Sequence, residues 1–274
     1  MQKLLWAEHQ KIRRSKIVWI TVFAVVLLAV MIFAGGLDVY HGPVVGDGLK
    51  YVRDNLRYID NAGWYMDEVQ PWSVVFVFPA VTALFGSYMI CREEDEDTIK
   101  SLRLIPINEV KLTVAKMIVT FELSVMLYLL LFMITFLTEA VLHFSDLSVE
   151  LVLVTLKEYV LEGIGIFFAV SPVIALASRM KKYWLALVLA EIYSIAGLFV
   201  SMTSTLKYFY PINVVFNFSG YYKESAVGIW GSMGILLLCG ALSVLILKLP
   251  GKNTDPPNTD SRNTDLQQNT GLLH

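Results

Sequence analysis

The chain has 274 residues, 56% hydrophobic and 17% charged, with mean hydropathy +0.59 and a formal net charge of −2. A soluble domain carries about 25% charged residues, so this composition leaves too little polar sequence for a soluble catalytic domain. The two cysteines, Cys91 and Cys239, lie at or inside apolar runs, which excludes a disulfide framework.

Six stretches reach the roughly 20 apolar residues that a helix needs to cross a bilayer: 17–37, 72–91, 112–138, 160–178, 183–203 and 226–247. The expected fold class is therefore an all-α polytopic membrane protein with six transmembrane helices. The first run is longer than the apolar core of a signal peptide and ends in Gly35-Gly36-Leu37-Asp38 without a small-x-small cleavage site, so it reads as a retained span. With the N-terminus placed in the cytoplasm, 16 of the 22 lysines and arginines fall on cytoplasmic segments. The positive-inside bias then predicts N-in, C-in.

Residues 1–16 mix Leu4, Leu5, Trp6 and Ile12 with five basic residues, a pattern expected of an amphipathic helix in the inner interface, against lipid headgroups. In the long outer loop 38–71, Leu49, Val52, Leu56 and Ile59 fall at helical spacing, which predicts an amphipathic helix there. Tyr51, Tyr58, Trp64, Tyr65 and Trp72 are expected to form an aromatic belt. Pro79 and Pro172 fall inside the second and fourth spans and predict kinks that neighbouring helices support.

The second span runs into Arg92 and then five consecutive acidic residues, Glu93, Glu94, Asp95, Glu96 and Asp97. Acidic side chains favour the first turn of a helix. Thr98 comes next, then Ile99, Leu102, Leu104 and Ile105 supply an apolar edge, and Pro106 ends it; Lys111 and Lys116 lead back into the third span. An acidic helix beside a negatively charged leaflet is pushed away from the lipid, so a short knob protruding into the cytoplasm is expected.

Ionisable residues inside spans are costly and are functional candidates by default. Glu122 in the third span and Glu191 in the fifth lie at similar depth, with no lysine or arginine at that depth. They either face a polar path for a cationic substrate or are protonated and bonded to Tyr128, Tyr193 or Ser194. Glu162, nearer the outer side of the fourth span, is a third candidate. The loop Arg179, Met180, Lys181, Lys182 makes spans four and five antiparallel neighbours. The aromatic stretch 204–224 is expected to dip into the outer membrane as short re-entrant pieces, and Gly228, Gly231, Ser232 and Gly234 offer span six a surface for close helix contact. The tail 249–274 repeats Asn-Thr-Asp, is polar and proline-containing, and is expected to be disordered.

No phosphate-binding G-x-x-x-x-G-K-[ST] and no H-E-x-x-H occur, and none of His9, His41, His143 or His274 lies well inside a span. A non-catalytic protein that holds neither metal nor nucleotide is the expectation. Nucleic acid is not an expected partner.

Arg92-Glu93-Glu94, Asp97-Thr98-Ile99-Lys100, Leu102, Leu104-Ile105-Pro106 and Lys111…Ala115-Lys116 resemble the segment between spans two and three of ABC-2 type permeases, the membrane subunits of type V ATP-binding-cassette exporters. Asp97 stands where that family usually has glycine. The layout is similar throughout: a basic N-terminal helix, six spans, a short fourth-to-fifth loop and an aromatic outer segment before span six. The resemblance implies that 93–106 is a coupling helix docking on a separate ATPase subunit, with Arg179, Lys181 and Lys182 as a second contact. ATP and Mg would be held by that partner alone. It implies a second permease copy or a homologous subunit, a bacterial plasma membrane, and a role like that of bacitracin-resistance or lantibiotic-immunity permeases, which move amphipathic peptides. Two other readings stay open: a proton-coupled secondary transporter using Glu122 and Glu191, and a non-transporting scaffold or sensor.

Overall fold

The structure, a computed structural model, describes residues 2–13, 15–41, 52–53, 56–57, 62–95, 109–179, 183–203, 206–222 and 226–248. Its helices are α1 (Gln2–Arg13), α2 (Lys16–His41), α3 (Trp64–Trp72), a π-helical segment (Ser73–Val77), α4 (Phe78–Asp95), α5 (Glu109–Leu142), α6 (Val149–Arg179), α7 (Tyr183–Ser201), α8 (Pro211–Ser219) and α9 (Ala226–Lys248). Six stretches, numbered here as spans one to six, are long and apolar enough to cross a membrane: Lys16–Gly36, Trp64–Arg92, Val110–Leu142, Val149–Ala177, Tyr183–Ser201 and Gly228–Lys248. The tail 249–274 lies outside the described residues.

Spans two and four begin earlier than apolarity alone predicts, at Trp64 instead of 72 and at Val149 instead of 160. The added turns carry Asp67, Glu68, Gln70, Glu150, Lys157 and Glu158, at which a count of apolar residues stops. They are helical nonetheless because they hold one another: the Tyr159 hydroxyl donates to the Met66 carbonyl at 2.8 Å and the Gln70 amide to Glu158 at 3.3 Å. Most of the expected outer-loop helix falls outside the described residues, and the four residues that are described do not form it. Instead Val52–Arg53 and Leu56–Arg57 pair as antiparallel strands, Val52 opposite Arg57, with the turn-favouring types Asp54 and Asn55 between them in sequence. Trp64 and Tyr65 are not interfacial belt residues either, being 5% and 1% exposed.

Gly63 explains how span two can start where it does. It adopts φ +89°, a left-handed conformation that other L-residues avoid, and a Cβ there would also stand 2.8 Å from Leu151. Gly36 lets the Trp64 ring lie flat against span one, where a Cβ would come within 2.0 Å of the indole.

Both expected prolines interrupt their helices, and in each case a serine repairs the gap. Pro79 has no N–H for the Val75 carbonyl four residues before it, and the Ser194 hydroxyl of span five donates to that carbonyl. Just upstream the backbone widens to π geometry, with the Phe78 N–H reaching Ser73. Pro172 likewise frees the Phe168 carbonyl, which accepts the Ser171 hydroxyl at 2.9 Å. Apolar surroundings demand such substitution.

The main core gathers Phe78, Tyr128, Leu131, Tyr159, Ile166, Val170 and Val215 where spans two, three and four meet α8. A second, smaller core joins Ile17, Phe85, Met89 and Val119 to Leu5 and Ile12 of α1. Gly163 permits the close approach of spans three and four, since a Cβ would stand 3.1 Å from the Val125 backbone; the Ser124 hydroxyl bonds the Gly163 carbonyl across this contact at 3.0 Å. The aromatic stretch after span five forms the buried helix α8, packed on spans four and six, closed by Gly220 at φ +94°. In span six Gly231 and Gly234 face open space; the close contact is at Gly240, against Phe168. On span one Trp19, Phe23, Val26 and Val30 lie bare along one face, Trp19 75% exposed, as a lipid-facing stripe requires.

Two substitutions test these joints. Gly63→Ala should cost about 1–2 kcal/mol for its backbone conformation alone, with the Leu151 contact adding to it. Ser194→Ala should cost about 1 kcal/mol by leaving the Val75 carbonyl without its donor. Both are read as lowered unfolding midpoints of the detergent- or nanodisc-embedded protein.

Candidate functional site

Two polar centres stand out of the apolar body. At the first, α1 docks on span three. His9 Nε2 lies 2.7 Å from a Glu122 oxygen, while His9 Nδ1 lies 2.8 Å from the Leu5 carbonyl one turn back. Both partners accept hydrogen bonds, so both ring nitrogens must donate and the imidazole is held as a cation. Its pKa is accordingly raised from the ordinary 6.5, first by the Leu5 carbonyl, against desolvation, with the hydrogen bond and charge of Glu122 adding to the rise. Nearby, buried Glu8 pairs with Lys11 at 2.7 Å, and the Ser15 and Tyr88 hydroxyls meet at 3.2 Å. Glu122 thus has a basic partner, supplied by the N-terminal helix.

Glu191 is half-buried on span five and makes no hydrogen bond or ion pair among the described residues. Of its expected partners, the Ser194 hydroxyl is committed to the Val75 carbonyl.

The second centre lies at the other ends of spans two, three and four. Glu139 of span three is fully buried and fully used: one oxygen accepts the Tyr65 N–H at 2.5 Å and the other meets His143 Nδ1 at 2.8 Å. Gly63 offers no capping side chain to α3, and Glu139 fills that place from another helix, a carboxylate at the positive end of a helix dipole. Deeper in, Glu162 is also fully buried, but neither of its oxygens has a partner among the described residues. The Gln70 side-chain carbonyl is likewise buried and unpartnered, and the Tyr128 hydroxyl is buried beside Ser73. Glu158 and Asp67 act on Glu162 through space, and Tyr128 and Tyr159 feel its charge in turn. These rings pack together: Phe78 and Tyr128 are 3.8 Å apart at their centroids, Tyr128 and Tyr159 6.4 Å.

Sequence reasoning placed Glu162 among the candidates but missed Asp67, Gln70, Glu139 and Glu158, which it left outside the spans. The available signal was spacing. Asp67 and Gln70 are three apart and Glu158 and Glu162 four apart, each pair on one helical face.

The acidic knob falls mostly outside the described residues. Glu93, Glu94 and Asp95 end α4, whereas Glu96, Asp97, Thr98, Leu102, Leu104 and Pro106 are not described. Lys181 and Lys182 are not described either. Arg179 closes α6, and its guanidinium donates to the Ile246 carbonyl of span six.

Residues 4–197 match the family model described as ABC-2 family transporter protein, which takes in α1 and spans one to five. The chain belongs to the ABC-2 transporter family. It is a multi-pass membrane protein, an ABC-2 type permease by family. The bacitracin transport permease protein BCRB of Bacillus licheniformis is 30% identical over 127 residues, 46% of this chain and 61% of that protein. The aligned region therefore covers less than two thirds of the relative. No solved structure matches the chain.

The His9–Glu122 contact makes docking of the permease's N-terminal helix pH-dependent. Because the docked pKa is raised, the contact contributes fully below about pH 6.5 and fades as pH rises through the docked value. Amide-exchange protection of residues 2–13 should fall over that interval. Glu122→Gln should remove this pH dependence.

Proposed function

We propose that this chain is the membrane half of an ATP-driven exporter that moves amphipathic peptide antimicrobials out of, or away from, a bacterial plasma membrane. The observation that carries the reading is the pairing of ABC-2 family membership with a relative described as a bacitracin transport permease. The acidic, leucine-edged stretch 93–106 supports it as the handle for the ATPase, because such a segment is repelled by an anionic leaflet and offers one apolar side to a protein groove. Arg179, Lys181 and Lys182 form the second contact, on the short link between spans four and five.

In this mechanism the chain has no catalysis of its own. ATP and Mg bind to two ATPase subunits, and their closure draws together the handles of two permeases, a pair of copies or this chain with a homologue. The motion enters at α4 and α5, which flank the handle. It reaches span five through Ser194 and the Val75 carbonyl, where the π-helical segment and Pro79 weaken span two as a rigid rod. The N-terminus and C-terminus face the cytoplasm, as the distribution of lysine and arginine supports. Glu122, being bonded to His9, serves the docking of α1 more readily than a proton relay.

The test is co-purification. Reversing the charges of Glu93, Glu94, Asp95 and Glu96 to lysine should abolish recovery of the ATPase subunit with the permease and remove resistance to bacitracin. Permease that stays folded in the membrane and still retains its ATPase after this change would defeat the proposal.

A further inference from the structure

Glu162 differs from every other buried acid of the described residues in having nothing to bond. Glu8 has Lys11, and Glu139 has the Tyr65 N–H and His143. Glu162 has only like charges acting on it, from Glu158 and Asp67. An ionised carboxylate sealed from water without a counter-charge is strongly disfavoured. Protonation alone does not resolve this, because it removes the charge but leaves the Gln70 carbonyl without a donor.

The missing groups are all of one kind. Both Glu162 oxygens and Gln70 Oε1 are acceptors, so the absent partner is a donor bearing several hydrogens and a positive charge. Among the described residues no set of three His, Cys, Asp or Glu is arranged to hold a metal ion. The surroundings favour an organic cation instead: Tyr128 and Tyr159 lie near enough to feel the Glu162 charge, Phe78 and Phe132 pack on those two rings, and an ammonium group is attracted to aromatic faces. An ammonium carries three N–H donors, enough for both carboxylate oxygens and one further acceptor.

We propose that Glu162 is the anchor for a primary ammonium group of the transported compound, with Gln70 and the Tyr128 ring and hydroxyl completing the site. All three residues are closed to solvent in this conformation, and Ser73 of the π-helical segment of span two lies beside Tyr128. The inference rests on the transport reading for the identity of the cargo, and it narrows that cargo to compounds with an exposed amine. The site is separate from the ATPase handle, so either proposal can fail alone.

The experiment uses the full chain, purified without its ATPase and embedded in nanodiscs of neutral lipid. Hexylammonium chloride, hexan-1-ol and sodium chloride are titrated against thermal unfolding for the wild type, Glu162→Gln, Tyr128→Phe and Glu122→Gln. Hexylammonium should raise the unfolding temperature of the wild type and of Glu122→Gln, while hexan-1-ol and sodium chloride should not. Glu162→Gln should bind hexylammonium roughly 10- to 100-fold more weakly, the usual loss for a charge-assisted hydrogen bond. Tyr128→Phe, which removes only the hydroxyl beside Ser73, should fold and bind more weakly. Equal binding by the wild type and Glu162→Gln would overturn the proposal, as would equal stabilisation by hexan-1-ol or by sodium. If Glu162→Gln does not fold, unchanged binding by Tyr128→Phe would overturn it in the same way.

Discussion

In an apolar surrounding, no backbone carbonyl can be left to water, and this constraint organises the ties between helices in the permease. The hydrogen bonds that join one helix to another run mostly from a side chain to a main-chain oxygen. Ser194 reaches Val75, Tyr65 reaches Ala29, Tyr159 reaches Met66, Ser124 reaches Gly163 and Asn213 reaches Gly197. Each is modest alone, about 0.6 kcal/mol for a typical bond between helices in a membrane. Their value lies in position, because they fall where a helix is broken, begins late or approaches another closely. Dispersion and shape complementarity hold the bundle; these bonds fix its register.

Span two bears the mechanical consequence. It is the most interrupted of the spans, with Pro71, the π-helical segment and Pro79 within about two turns, and it is also among the most enclosed. A helix broken that often would bend freely in isolation. Here the Ser194 hydroxyl and the packing of spans three, four and five hold it in one shape. A change in any of those neighbours is therefore felt at the break, and the break lies beside Tyr128, which feels the charge of Glu162. At the other end of the same span, Phe85 and Met89 carry the docked α1, so both polar centres lean on one element.

The number of spans was legible because burial in lipid leaves a plain trace: long runs without charge. The starts of spans two and four were not legible, because there the helix continues through carboxylates that neighbouring helices shelter, and apolarity stops reporting helicity once polar groups satisfy each other. The outer-loop helix was misread for the opposite reason. Helical spacing of Leu49, Val52, Leu56 and Ile59 was present, but Val52 and Leu56, the two of them that are described, lie in paired antiparallel strands. Glu122 and Glu162 were both visible as anomalies of composition, yet nothing in the order of residues says that His9 would reach the first and that no residue would reach the second. That difference is tertiary.

The distinction bears on how intramembrane acids should be read. Glu139 and Glu162 share type, burial and neighbourhood, and a count of charged residues would treat them alike. Glu139 is saturated: it caps a helix that has no cap of its own and is fixed by His143, so its cost of burial is offset within the fold. Glu162 has no such partner among the described residues, and no packing role explains it, since a glutamine or methionine of similar size would fill its volume without a charge. A group that destabilises the resting protein persists for what it does in another state or with another molecule. On that ground unsatisfied hydrogen-bonding capacity, more than depth or charge, separates the acid that works on a ligand from the acid that holds the scaffold.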